Sequence, residues 1–194
     1  MIAYVKGDFV YKSPAVVHVD VRGVGYEVQI SLNTFTSIQS LNQGVLHTYL
    51  HIKEDSHTLF GFFELAEKEM FIKLISITGV GAATARMMLS SLKSEEIARA
   101  IVQGNVKLLE SIKGIGKKSA ERIILELRDK LSKQSMDPNI SARGNNTTEQ
   151  DALNALISLG IARPAGEQAI RKVLSSGPGS EKVEDIIKKA LKIL

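Results

Sequence analysis

This chain of 194 residues has no cysteine, no tryptophan and only four prolines. The lack of cysteine excludes disulfide bonds and thiolate metal sites, and it is typical of proteins from a reducing compartment. No run of about 18 apolar residues is present, so we expect no membrane span and no membrane partner. The first residues lack a charged leader followed by an apolar block, which predicts no secretory signal and a cytoplasmic location.

The charge of the chain is unevenly distributed. Hydrophobic residues make up 44% of the sequence, and the formal net charge is +4. Residues 1–64 carry a net charge of −2, residues 65–133 carry +5 and residues 134–194 carry +1. A positive excess in one segment is typical of a protein that binds a nucleic-acid backbone, although a solvated helical surface can show the same excess.

The most informative pattern is a segment that occurs twice. Residues 77–85, ITGVGAATA, align without gaps on residues 112–120, IKGIGKKSA. A Gly-apolar-Gly triplet between two helix-forming stretches predicts a tight helical hairpin, because glycine tolerates positive φ and the middle residue enters the core. The following helix begins with free N–H groups, which favour anions such as phosphate. The six residues of the two predicted phosphate sites are Gly79, Val80, Gly81, Gly114, Ile115 and Gly116.

Cations surround the second copy of this segment. Lys117, Lys118 and Arg122 follow it on the same predicted helix, and Lys113 lies inside it. Amides and lysines recognise phosphate rather than base, so we predict DNA binding that is independent of sequence and sensitive to salt. An ATP-binding phosphate loop is excluded, because it needs glycine at Ser111 and Ser or Thr at Lys118. We therefore expect no cofactor, and any ATP-driven step must come from another protein.

The chain divides into four segments, which predict an α+β multidomain protein. Residues 1–63 read as about five short strands, typical of a small oligonucleotide-binding (OB-like) β-barrel, with a small sandwich as the alternative. Residues 64–131 follow a helical period and predict five helices with two helix-hairpin-helix motifs. Residues 132–147 are polar and contain Pro, Gly and Asn, which predicts a flexible linker. Residues 148–194 predict a small three-helix bundle.

An acidic tip is predicted in the first segment. Glu54 and Asp55 lie between two strand-like stretches, where carboxylates are either a solvated turn or a group that repels DNA phosphates. His47, His51 and His57 lie on the flanking strands, but histidines on a β-hairpin are more often ordinary surface residues. We therefore predict no metal site and no catalytic residue here.

The whole chain resembles the RuvA family, the junction-recognition subunits of bacterial branch-migration complexes. The residues that carry the resemblance lie in all three folded segments: Met1-Ile2 with Gly7, Gly23 to Val28, Lys53-Glu54-Asp55, Leu59 to Phe62, Gly79 to Gly81, Gly114 to Arg122 and Leu156 to Gly160.

The resemblance implies a homotetramer that binds an open Holliday (four-way) junction, with one tetramer or two facing tetramers, during homologous recombination and DNA repair. It implies that Glu54 and Asp55 form an acidic pin at the junction centre and that the two hairpins clamp the arms. It also implies a last domain that binds the hexameric ATPase RuvB, and the resolvase RuvC as a further partner. The residues at the implied RuvB-binding surface are Leu156, Leu159, Ile161 and Leu191, all of which could equally be core residues of a small bundle.

The chain departs from the family pattern at two points. Ala82 and Ala83 follow the first hairpin where a lysine is common, so that this hairpin must depend on its amides. Ile161 occupies a position where an aromatic residue is frequent.

Two other functions compete with junction binding. A helix-hairpin-helix glycosylase or nuclease would need a catalytic acid, for which the helices offer Glu110, Glu121 and Glu126 without a recognisable pocket. A single-strand binder would use residues 1–63, but the net negative charge of this segment is unfavourable for such a groove. We therefore favour a non-enzymatic DNA-binding subunit.

Overall fold

The computed structural model of the chain describes residues 1–135, 148–175 and 182–194. Contacts divide the chain into two compact units, Met1–Ser135 and Met136–Leu194. The first unit contains both the predicted barrel and the predicted hairpin helices, and the second contains the predicted bundle. Of the linker predicted at 132–147, residues 136–147 lie outside the described residues.

The first five strands close into a barrel in the order β1-β2-β3-β5-β4. Neighbouring strands are antiparallel except β3 and β5, which pair in parallel through Gln29 with Phe60 and Ile30 with Gly61. The predicted OB-like barrel is therefore confirmed over the sandwich. The strands are β1 (Tyr4–Lys12), β2 (Val16–Val21), β3 (Val24–Ile30), β4 (Gln43–Ile52) and β5 (His57–Phe62).

Alternating side chains fill the barrel. Val17 and Val19 of β2 are fully buried, whereas His18 between them is partly exposed, as the two-residue period of a strand requires. The tight turn from β2 to β3 passes through Arg22 and Gly23, both with positive φ. The carboxylate of Asp20 accepts a hydrogen bond from the Gly23 N–H at 2.7 Å, which stabilises this turn.

A short helix that the sequence did not reveal, α1 (Leu32–Ile38), connects β3 to β4. Ser31 caps it by accepting a hydrogen bond from the Thr34 N–H at 3.0 Å. Its seven residues carry too few apolar positions for a helical period to be recognised in the sequence. Thr34 and Ile38 are its buried residues.

Five further helices complete the first unit. Asn105 accepts a hydrogen bond from the Leu108 N–H at 3.1 Å and Gly104 ends the preceding helix with φ 69°. The last of the five extends to Ser135, four residues beyond the predicted end of the helical segment at residue 131, since no Pro or Gly interrupts the helix at these positions. The helices are α2 (Leu65–Ile75), α3 (Ala82–Ser91), α4 (Ser94–Gln103), α5 (Val106–Glu110) and α6 (Lys117–Ser135).

Aromatic side chains join the barrel to these helices. Phe71 of α2 packs against Phe60 and Phe62 of β5, with both pairs of ring centroids 5.0 Å apart. Tyr49 of β4 meets the same ring edge-on at 5.6 Å. Such pairs add to the hydrophobic stabilisation of the buried area. The core of the helical part is therefore continuous with one face of the barrel.

The second unit contains the helices α7 (Thr148–Ser158), α8 (Arg163–Ser175) and α9 (Val183–Ile193). The three predicted helices are thus confirmed to within a few residues at their ends. Their apolar faces enclose a separate small core that includes Leu156, Ile170 and Ile186. None of the described helices in either unit has the length and apolar character needed to cross a membrane.

Candidate nucleic-acid interface

The first hairpin connects α2 to α3 in a tight turn. The Ile77 N–H donates to the Leu74 carbonyl at 3.1 Å, and the Val80 N–H donates to the Ile77 carbonyl at 3.0 Å. Gly79 between them has φ 94°, a conformation that L side chains rarely adopt. Val80 is only 6% exposed and anchors the turn in the helical core.

The second hairpin, between α5 and α6, repeats this geometry 35 residues later. The Ile112 N–H donates to the Leu109 carbonyl at 3.2 Å, and the Ile115 N–H donates to the Ile112 carbonyl at 3.1 Å. Gly114 has φ 89° and Ile115 is 5% exposed. Both anchors that the sequence predicted, Val80 and Ile115, thus lie in the core.

A serine pair extends the repeat beyond the aligned segment. The Ser76 hydroxyl donates to the Lys73 carbonyl, and the Ser111 hydroxyl donates to the Leu108 carbonyl, both at 2.7 Å. Each serine ends the first helix of its hairpin and satisfies a carbonyl that lacks a helical partner. The sequence alignment stopped one residue short of these serines, although extending it would have found them.

The second glycine of each triplet leaves open space at the surface. Gly81 precedes α3 with φ −83°, which any residue can adopt. A Cβ atom at Gly81 or at Gly116 would meet nothing within 4 Å. Packing within the fold therefore does not require glycine here, but close approach by a ligand to the backbone would.

Free amides face this space. In the described first unit, the first bond of α3 runs from the Ala85 N–H to the Gly81 carbonyl at 2.9 Å, and the first of α6 from the Ala120 N–H to the Gly116 carbonyl at 3.0 Å. The N–H groups that precede Ala85 and Ala120 on each helix have no acceptor among the described residues. Such groups, together with the helix dipole, bind anions.

The two hairpins differ in charge. Lys113, Lys117 and Lys118 are exposed beside the second hairpin. The corresponding positions of the first hairpin, 35 residues earlier, are Thr78, Ala82 and Ala83.

Two arginines near the hairpins are already engaged. Arg122 on α6 forms an ion pair with Glu126, with Nε and Oε1 2.8 Å apart, so that part of its charge is neutralised. Arg86 on α3 donates to the Ala15 carbonyl at 3.1 Å and to Oε1 of Gln29 at 2.5 Å, both on the barrel. Lys113, Lys117 and Lys118 beside the second hairpin, by contrast, are exposed cations without such a partner among the described residues.

The acidic tip lies on the barrel. Glu54 and Asp55 are exposed between β4 and β5, where the Lys53 N–H donates to the Ser56 carbonyl at 2.8 Å and closes the turn. Within the described residues, no group of three or more His, Asp or Glu side chains is placed to hold a metal ion.

Comparison with known proteins agrees with this architecture. The chain matches family models described as the RuvA N terminal domain over residues 1–61, a SAM-like helix-hairpin-helix tandem over residues 71–129 and the RuvA C-terminal domain over residues 147–194. Proteins from Cytophaga hutchinsonii and Christiangramia forsetii are 44% and 45% identical to it, and in each case all of both chains is covered. The chain belongs to the RuvA family. Both relatives carry the name Holliday junction branch migration complex subunit RuvA, as does a 45% identical protein from Flavobacterium psychrophilum.

The RuvA C-terminal segment provides one correction. Leu156 is completely buried in the core of the second unit, because it lies on the face of α7 that packs against α8 and α9. The resemblance placed Leu156 at the RuvB-binding surface, but its complete burial makes it a core residue, which was the alternative interpretation. Ile161 is half-buried against the same core, whereas Leu159 and Leu191 are 62% and 44% exposed. Ile157 and Ile193, which the sequence did not single out, are exposed as well.

Proposed function

We propose that this chain binds Holliday junction DNA by its shape, independently of sequence, as the non-catalytic subunit of a branch-migration complex. The observation that carries the proposal is the pair of hairpins with matching hydrogen bonds, free amides and open glycine positions. The names of the full-length relatives support it. Because backbone amides and lysines contact phosphate, the hairpins alone do not distinguish a junction from a duplex.

The acidic tip supplies the missing selectivity in this proposal. Assembly as a homotetramer, in one layer or two, would bring four copies of Glu54 and Asp55 to the centre of a junction. Carboxylates repel phosphates at close range, so they favour an open centre with separated strands over a continuous duplex. The hairpins then hold the arms on either side of that centre.

The second unit is proposed to bind the RuvB ATPase, which would move the arms, while RuvC would cleave the junction. Leu159, Leu191 and the half-buried Ile161 are the residues of this proposed surface, with Leu156 supporting it from the core. Replacing Leu159 and Leu191 with serine should abolish RuvB capture on junction DNA and leave junction binding unchanged. Loss of junction binding in the same variant would contradict this separation of tasks.

The proposal is tested by comparing a four-way junction with a linear duplex of the same arm sequence in a gel-shift titration at moderate salt. Preference for the junction is expected, and equal affinity would overturn the proposal. The variant Glu54→Gln/Asp55→Asn should relax this preference and retain the fold. Glu184→Gln/Asp185→Asn is the matched control, since it removes an exposed acidic pair in the same order from the second unit.

A catalytic role receives no support from the acids that the sequence offered. Glu110 and Glu121 are exposed on helices, and Glu126 is paired with Arg122. Turnover of branched or damaged DNA by the purified chain, lost on substitution of one of these acids, would contradict the non-catalytic proposal.

A further inference from the structure

A small polar cluster lies buried where the barrel meets the first hairpin. Its members, Ser31, Thr34 and Glu67, are at most 6% exposed, and Thr48 is the other buried polar residue within the described residues. The carboxylate of Glu67 accepts hydrogen bonds from the hydroxyls of Ser31 and Thr34, the latter at 2.6 Å. We refer to Ser31, Thr34 and Glu67 as the buried brace.

The buried brace also holds the connection between the barrel and the helices. That connection is short, because β5 ends at Phe62 and α2 begins at Leu65. The Thr34 hydroxyl accepts a hydrogen bond from the Phe63 N–H at 3.1 Å while it donates to Glu67. One hydroxyl group thus joins α1, the connection and α2.

The helix α1 holds the second helix of the same hairpin as well. Asn33 donates from Nδ2 to the carbonyls of Leu89 and Leu92 at 2.6 and 3.1 Å, at the end of α3. The Leu32 N–H donates to the hydroxyl of Ser90 at 3.1 Å. Both helices of the first hairpin are therefore bound to the barrel by directional contacts. No hydrogen bond between described residues joins α5 or α6, the helices of the second hairpin, to the barrel.

A carboxylate is an unfavourable choice for a purely structural contact at this position. Burial raises the pKa of Glu67, and the nearby Glu64 adds to the rise, whereas the hydroxyls of Ser31 and Thr34 oppose it. The aromatic packing of Phe71 on β5 already attaches α2 to the barrel, but apolar contact is not directional. A satisfied buried polar group adds orientation to such a contact.

We propose that Glu67 is a positioning residue that fixes the angle between the first hairpin and the acidic tip, and thereby makes a sequence-independent clamp selective for four-way junctions. This inference rests on the proposed function. A linear duplex can bind to a hairpin at any such angle. A junction cannot, because its centre must lie at the tip while its arms reach the hairpins. Loosening the attachment of the first hairpin to the barrel therefore weakens junction binding and leaves duplex binding largely unchanged.

The first experiment compares Glu67→Gln with Glu69→Gln, which removes the same charge from an exposed position on the same helix. Fluorescence anisotropy is measured with a labelled four-way junction and with a duplex of the same arm sequence. For Glu67→Gln we expect the ratio of junction to duplex affinity to fall roughly tenfold, as the loss of one charge-assisted hydrogen bond allows. Duplex affinity, and both affinities of Glu69→Gln, should stay within about twofold of the wild type.

The second experiment directly measures how firmly the first hairpin is positioned relative to the acidic tip. Because the chain has no cysteine, Ser56→Cys at the tip and Thr78→Cys at the first hairpin can carry a single pair of spin labels per chain. With an excess of unlabelled chain, the distance distribution within one chain is expected to broaden in Glu67→Gln and to stay unchanged in Glu69→Gln. If Glu67→Gln does not fold, Thr34→Val replaces it, since it removes a hydroxyl that donates to the Glu67 carboxylate and is expected to behave in the same way.

The outcomes are separable. No junction preference in the wild type would contradict the proposed function itself. A wild-type preference that Glu67→Gln retains would overturn the inference alone, whether or not the distance distribution broadens. A ratio that falls without broadening of the distribution would also overturn it, because Glu67 would then act in some way other than by positioning the hairpin.

Discussion

The two hairpins share their backbone geometry but differ in how they are attached to the barrel and in the charge beside them. The first is held to the barrel by Glu67, Asn33 and Arg86 but has Ala82 and Ala83 where the second has lysines. The second has the lysines but no hydrogen bond to the barrel among the described residues. The first hairpin is thus the more extensively hydrogen-bonded to the barrel, and the second is the more highly charged.

This difference has a physical basis. Lysine contacts with phosphate act at long range and tolerate small displacements, so a charged hairpin does not need a rigid attachment to the barrel. A hairpin that depends on backbone amides must place them within hydrogen-bonding distance of the phosphate, where a small displacement loses the contact. Rigid attachment to the barrel therefore matters most for the hairpin that lacks cations.

The largest expected effect comes from removing the charge of the second hairpin. For Lys117→Gln/Lys118→Gln we expect junction and duplex affinities to fall together by roughly thirtyfold at low salt. The slope of the logarithm of affinity against the logarithm of salt concentration should decrease in magnitude by about two. Anisotropy titrations over a series of salt concentrations measure both. Lys188→Gln/Lys189→Gln, an adjacent pair on α9, is the control. A selective loss of junction binding would contradict the assignment of affinity to this hairpin.

The glycines of the second hairpin should separate folding from binding. Gly114→Ala places a side chain at φ 89° and should lower the free energy of unfolding by about 1–2 kcal/mol. A Cβ atom at Gly116 would meet nothing within 4 Å, so the main effect of Gly116→Val should be a loss of roughly tenfold in DNA affinity, because the valine side chain blocks the phosphate.

Urea unfolding and anisotropy together test this pair. Tyrosine fluorescence follows the first unit alone, because all four tyrosines lie at or before Tyr49 and the chain has no tryptophan. Gly81→Val is the matched variant at the first hairpin. Wild-type DNA affinity in Gly116→Val would argue against amide contact with phosphate at this hairpin.

A smaller effect is expected from giving the first hairpin the charge of the second. Ala82→Lys/Ala83→Lys should raise junction and duplex affinities by about fivefold and steepen the salt dependence, because two further phosphates can be neutralised. If the rigid attachment of the first hairpin to the barrel determines the preference for junctions, the ratio of junction to duplex affinity should stay near the wild-type value. A large change in that ratio would show that charge, rather than attachment to the barrel, distinguishes the hairpins.

The smallest expected effect is a pH dependence of stability that originates in the buried brace. Because burial raises the pKa of Glu67 above its ordinary value of 4.5, the folded chain binds this proton more tightly than the unfolded chain does. The resulting stabilisation is complete below pH 4.5 and is lost as the pH rises through the folded-state pKa.

This dependence is measured as a difference between variants. The free energy of unfolding of the wild type, followed by tyrosine fluorescence, should decline with rising pH relative to that of Glu67→Gln. Glu69→Gln retains Glu67 and should follow the wild type. Glu64, Lys93 and Glu95 line the same open cleft as Glu67, so the measurement is made at constant ionic strength to hold their screening fixed. A relative rise with pH would contradict the expected sign.

Much of the fold was accessible from local patterns. Hydrophobic periodicity predicted the strands and the three helices of the second unit, and paired glycines predicted the two hairpins. Each of these signals is contained within a few neighbouring residues of the chain. The helix α1 and the extension of α6 to Ser135 were missed, the first because it is short and the second because polarity was read as a linker. Polarity alone does not end a helix when no breaking residue is present.

The burial of the candidate site residues was predicted correctly at some positions and not at others. Val80 and Ile115 lie in the core as expected, but Leu156 was assigned to a surface and is buried. The apolar character of a leucine does not tell which face of a helix meets its neighbours in so small a bundle. The assignment of the hairpins, the acidic tip and the exposed leucines to DNA and RuvB stays a prediction.

The sequence by itself determined the repeat, the position of its lysines and the neighbourhood of Glu54 and Asp55, because each depends on residues close together in the chain. Only the tertiary structure decided that Glu67 meets Ser31 and Thr34, more than 30 residues away, and that this contact joins the barrel to one hairpin only. The helical period places Glu67, unlike the exposed Glu69, on the face of α2 that carries Met70, Phe71 and Leu74, but it does not show which distant residues that face meets. Their difference arises because packing of the whole unit buries one face of α2 and leaves the other in solvent.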